Sequence, residues 1–184
     1  FTNEGGYGHR FRYLKNIMGL WMIQSVKKEF EEELSFAEIC ARAAKENITS
    51  IVDCNDDVFF APDHMIRAVQ KFCKDTDQPV PETAGEIAAV VYNSLAYCYG
   101  KTVEEIEEIT GTSYDAVYIV GGGANAAYLN ELTAKYTGKK VFAGPTEATA
   151  IGNLAVQMIR DGVFADLSEA RACIRQSFDI QEYE

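Results

Sequence analysis

The sequence predicts an α/β domain in which a central sheet is flanked by helices. Three observations carry this reading. Residues 117–120 form a short, β-rich, apolar run with no polar face, the composition of a strand buried inside a mostly parallel sheet. Gly121, Gly122 and Gly123 follow at once, and residues 124–136 then show helical spacing at Ala127, Leu129, Leu132 and Tyr136. A long helical pattern precedes the strand, and a second short strand, 139–142, follows the glycine-turn helix.

The totals bound the rest. A chain of 184 residues, 47% hydrophobic and 24% charged, is enough for one well-cored globular domain. A net charge of −11 repels phosphate backbones and anionic lipids, so neither nucleic acid nor membrane is an expected partner. No apolar run approaches the roughly 20 residues of a spanning helix. Phe1 opens directly into polar, glycine-rich sequence without an initiator Met, which reads as a piece of a longer chain with no signal peptide. The five cysteines, Cys40, Cys54, Cys73, Cys98 and Cys173, form no CxxC pair and are odd in number. Neither a zinc site nor a disulfide framework is expected, and reduced thiols point to a cytoplasmic protein.

Taken in order, the first ten residues read as a glycine turn between extended segments, since Gly5, Gly6 and Gly8 punctuate them. Residues 11–33 read as a long helix on the repeat Tyr13, Ile17, Leu20, Trp21, Ile23 and Val26, ending in a charged, solvated run. Ser35 with Glu38 forms a capping box for a helix to about Lys45. Residues 50–53 are a candidate strand. Asp53, Asp56 and Asp57 lack the spacing of a calcium loop and read as a polar loop. Asp63 is expected to cap a helix reaching about Lys74. Thr83 and Glu86 box the longest helix, to about Ile109, with Ile87, Val91 and Leu95 on its buried face and Gly100 as a candidate kink. After Gly138, a C-cap, come the strand 139–142 and a helix rich in small residues from Pro145 or Thr146. Ile151, Leu154 and Met158 are expected to continue a buried face along it, and a last short helix spans 167–174.

The glycine turn is the strongest site candidate. Three glycines allow positive φ and let a ligand approach without meeting a Cβ, while the following helix points its free N–H groups and positive dipole end back at the turn. A nucleotide fits that chemistry; a tight turn without a ligand is the alternative. The pattern Gly121-x-Gly123-x-x-Ala126 also matches a dinucleotide fingerprint, but no carboxylate stands at the end of the next strand, where that fingerprint needs one. On the predicted helix 11–33, Asn16 and Gln24 lie eight positions apart, about two turns along and roughly 80° around. Polar side chains on a core-seeking helix need partners, which either local structure or a ligand would supply.

Four stretches together, TNEGG at 2–6, LKNIMGLWMIQ at 14–24, IVGGGANAAYLN at 119–130 and AGPTEATAIGN at 143–153, resemble the C-terminal half of sugar kinases of the FGGY family. KNIMGLW, with NEGG before it and NDD at 55–57, narrows the resemblance to the rhamnulokinase branch. The resemblance covers nearly the whole chain. It implies an actin-like ATPase fold of two ribonuclease-H-like domains with ATP between them, residues 1–184 being most of the second, nucleotide-binding domain. It implies that Gly121, Gly122, Gly123 and Gln24 lie at the ATP site and that Asn16 reaches a ketose substrate, L-rhamnulose. It places the small-residue helix after Pro145 near the hinge between domains. The catalytic aspartate and the phosphate loop of the family would sit in the N-terminal domain, absent from these residues, so no catalytic residue is assigned here. Magnesium is expected with ATP, whose transferring phosphate needs its charge neutralised. The competing reading is a stand-alone nucleotide-binding or interaction module without catalysis.

Overall fold

A computed structural model describes residues 1–184. It opens with a hairpin: β1 (Thr2–Gly5) pairs antiparallel with β2 (Phe11–Leu14), Thr2 opposite Leu14 and Gly5 opposite Phe11. The glycine turn between extended segments is therefore as read. The long helix is not. Residues 11–14 belong to the hairpin, where the alternation of Phe11 and Tyr13 is a strand's period of two, and α1 spans only Trp21–Glu29. Residues 15–20 are an irregular link, held in part by the Met18 N–H donating to Asn55 Oδ1 at 3.0 Å. Asn16 and Gln24 consequently do not share a helix, and the two-turn relation between them does not exist.

The core is helical. Its scaffold is α4 (Ala84–Thr110), whose Ile87, Val91 and Leu95 are buried together with Met22, Ile23 and Val26 of α1, Ile39 and Ala43 of α2 (Phe36–Ala43), Val69 and Cys73 of α3 (Met65–Asp75), and Leu129 and Leu132 of α5 (Ala127–Thr137). The two capping boxes are formed as read: Ser35 with Glu38 starts α2, and Thr83 with Glu86 starts α4. α4 runs unbroken through Gly100, which allows the close approach of α5 rather than a kink.

Three local expectations are corrected. Residues 50–53 form no strand, because side chains stand in for one. The Gln78 carboxamide accepts from the Ile51 N–H and donates to the Ile51 carbonyl, both at 2.8 Å, and the Val52 N–H donates to Ser94 Oγ at 2.9 Å. α3 begins after His64, not Asp63, and its first N–H groups, of Met65 and Ile66, donate to the Glu29 carboxylate at 2.6 and 3.1 Å. The cap comes from the end of α1, across the fold. Glu29→Ala is therefore expected to cost about 1–2 kcal/mol, the worth of a helix cap. It should lower the thermal midpoint by several degrees in circular dichroism, whereas Asp63→Ala leaves that midpoint in place. Equal midpoints for Glu29→Ala and the parent would show that the cap carries no stability.

The third correction concerns the sheet. β3 (Ala116–Ile119) pairs parallel with β4 (Lys140–Ala143), which pairs antiparallel with β5 (Gln181–Tyr183). The sheet is mixed and flanked by helices, as the fold class requires, but β4 is its central strand and β3 is an edge. Tyr118 is 67% exposed and Val120 53% exposed. An apolar run shows that a strand is built to be covered; it does not show that its cover lies within the same 184 residues. α6 (Ala148–Arg160) and α7 (Leu167–Ser177) complete the chain. On α6 only Ala155 is fully buried, and Leu154 and Met158 face outward, so the buried face expected through them is an open apolar one. The sequence reading passed over β5 altogether. No helix is long and apolar enough to cross a membrane.

Candidate nucleotide-binding site

Between β3 and α5 the chain makes a tight helical turn, Gly121–Asn125, so α5 begins at Ala127 rather than at 124. Of the three glycines only Gly121 has positive φ, +77°, and its N–H lies 3.4 Å from the Pro145 carbonyl. Gly122 needs no special backbone angle. A Cβ built on it meets nothing within 4 Å, whereas one on Gly123 would touch side chains of Ile119 and Leu20 at 3.6 Å. Gly122 thus faces open space. α5 has no side-chain cap, which leaves its first N–H groups free at the turn.

Gly122 also lines a cavity of about 460 Å³, with Gln24, Gly123 and residues of α2 and α4. Gln24 reaches it from the first turn of α1, and residues 98 positions apart in sequence meet there. Gly121 does not line it. Asn16 stands apart, exposed on the link between β2 and α1 and outside the wall of this cavity.

The wall residues that escaped the sequence reading include Phe36 and Cys40 of α2, Tyr92 of α4, and Asn125 of the turn. Asn125 was recoverable from its place in the glycine turn. The other three depend on how α2 and α4 pack, which no local pattern encodes. Tyr92 is almost fully buried, and burial, reinforced by the Cys40 thiol 3.2 Å from its hydroxyl, pushes its phenol well above the usual range. It is a neutral floor, not a base.

The chemistry of the cavity is narrow. Its wall holds no carboxylate, imidazole, ammonium or guanidinium group. It offers apolar surface, two carboxamides and backbone N–H groups, which suit binding and orientation but not proton transfer. Nor do three or more His, Cys, Asp or Glu side chains come together anywhere to hold a metal ion. Asp53 and Asp56 instead hold turns, accepting from the N–H groups of Asn55 and Val58 at 2.9 Å.

Comparison with known proteins identifies the family. Residues 1–160 match the sequence profile of the FGGY family of carbohydrate kinases, C-terminal domain. The whole chain is 48% identical to a rhamnulokinase of Oceanobacillus iheyensis and 45% identical to one of Halalkalibacterium halodurans, covering 39% of each, and 42% identical to one of Bacillus subtilis, covering 38%. It spans about two fifths of the length of these curated relatives. The actin-like ATPase fold is that of the family's C-terminal domain, and the mixed sheet between helices agrees with it. The match over residues 1–160, with relatives similar from end to end of the chain, shows that this chain belongs to the FGGY family of carbohydrate kinases.

Proposed function

We propose that residues 1–184 form most of the nucleotide-binding half of a kinase that transfers the γ-phosphate of ATP to the 1-hydroxyl of L-rhamnulose, in rhamnose catabolism. The observation that carries this reading is the cavity in which Gln24 meets Gly122 and Gly123 in a domain of this family. The names of the relatives support the choice of sugar. In this reading the free N–H groups at the glycine turn receive the phosphate end of ATP, as helix N-termini receive anions. Gln24 bonds the nucleotide from α1. Asn16, exposed on the link before α1, reaches the ketose from this side. The five free thiols support a reducing, cytoplasmic setting.

The remaining parts belong to the other half of the protein. The cavity supplies no base to take the sugar hydroxyl proton and no cation to clamp the phosphates. Magnesium would travel on the ATP phosphates, with its protein ligands outside these residues. Two open apolar surfaces support a partner domain of the same protein. One is the edge of β3, with Tyr118 and Val120 exposed; the other is the outward face of α6 with Leu154, Val156 and Met158. Buried Asn130, which with Val117 and Ile119 lines a second cavity, also keeps an unpaired Oδ1.

A coupled assay with ATP tests the reading. The full-length protein is expected to turn over L-rhamnulose in preference to other ketoses, and residues 1–184 alone are expected to turn over none. Preference for another ketose would overturn the choice of sugar. Saturable turnover by the isolated residues would overturn the division of labour.

A further inference from the structure

Phe36 is the first residue of α2, 47% exposed, on the wall of the cavity that contains Gln24 and the glycine turn. The helix does not need an aromatic ring there. Ser35 and Glu38 already satisfy its start, and its buried contacts are made by Ile39 and Ala43. Lys27 Nζ stands over one face of the ring, 5.5 Å from the centroid, at cation–π distance. The rest of the wall is apolar at Leu20, Ile23 and the Cys40 thiol and polar at the exposed residues Gln24 and Asn125, with Gly122 and Gly123 of the glycine turn completing it. The same cavity therefore offers both surface that suits a flat apolar ring with polar edges and a glycine turn that suits anionic oxygens.

We propose that Phe36 is the base wall of the nucleotide site. A purine lies against its exposed ring, its polar edge turned to Gln24 and Asn125, with ribose and phosphates running toward Gly122 and Gly123. The inference rests on the nucleotide reading above and adds the orientation of the ligand and the residue that discriminates a nucleotide from a bare polyphosphate. Base–aromatic stacking is sequence-tolerant and strong enough to measure by truncating the ring.

The test is equilibrium binding of ATP and of inorganic tripolyphosphate to the full-length protein and its Phe36→Leu and Phe36→Tyr variants. Phe36 is exposed and lies outside the core, so all three proteins are expected to melt together. Phe36→Leu should weaken ATP about tenfold while leaving tripolyphosphate unchanged, and Phe36→Tyr should bind ATP as the parent does. Parental ATP affinity in Phe36→Leu would overturn the base wall and leave the nucleotide site standing. An equal loss for ATP and tripolyphosphate, or a loss that Tyr does not restore, would also overturn it, because Phe36 would then act through the fold. Failure of the parent itself to bind ATP would overturn the site and the base wall together.

Discussion

Gly100→Ala is expected to destabilise the chain by about 2 kcal/mol, the cost of overpacking a filled interface. Helix propensity alone predicts the opposite sign, since Ala is better than Gly inside a helix by about 1 kcal/mol. The difference comes from α5. A Cβ on Gly100 would lie 2.7 Å from the Tyr136 carbonyl oxygen and 3.2 Å from its carbon, and backbone cannot swing aside as a long side chain can. Nor is Tyr136 free to retreat. Its hydroxyl donates to Asn93 Oδ1 at 3.3 Å, and its ring meets Tyr97 edge to face, with centroids 5.9 Å apart. The methyl group must push the two helices apart, and α5 is the helix that follows the glycine turn. In urea or thermal unfolding the midpoint should fall by several degrees, at roughly 2–4 °C per kcal/mol for a chain of this size. A midpoint equal to or above the parent's would show that α4 and α5 are not in backbone contact at Gly100.

The starts of the helices show where sequence reading succeeds and where it stops. The capping boxes at Ser35 and Thr83 were legible because each closes within three residues. The cap of α3 was not, because Glu29 reaches it from 36 residues away and Asp63, the local candidate, is a better match to the pattern. Residues 11–14 were misread because apolar spacing that continues into α1 hides a two-residue alternation, and only pairing with β1 decides between them. β3 was legible as an apolar strand, but its edge position was not, since the pattern records the burial the strand is built for rather than its neighbours. In the site, the glycine turn announced itself by composition. Gln24 entered through family resemblance, and the helical argument that tied it to Asn16 failed because α1 begins only at Trp21. Phe36, Cys40 and Tyr92 had no local signal at all, because their common feature is a cavity between helices.

Gly122→Val in the full-length protein is expected to abolish most nucleotide binding and to leave folding nearly unchanged. The structure separates these two effects more cleanly than composition does. Were Gly122 in the left-handed region, a β-branched residue would strain the turn, and weak binding would follow from damage to the fold. That demand falls on Gly121 instead, whose φ is +77°. At Gly122, which lines the cavity, an added Cβ meets nothing within 4 Å beyond its chain neighbours, so the valine side chain enters open space rather than the packed domain. It then occupies the space in which the proposed phosphates approach the turn, and each ~1.4 kcal/mol of lost contact is tenfold in affinity. A loss of two close backbone contacts corresponds to about a hundredfold weaker ATP binding on that scale, with a thermal midpoint within a few degrees of the parent's. Both quantities are measured at a temperature where both proteins are folded. A variant that binds ATP as the parent does would show that the glycine turn is not the nucleotide site. A variant that loses binding only in step with its melting would show that Gly122 serves the turn and not the ligand.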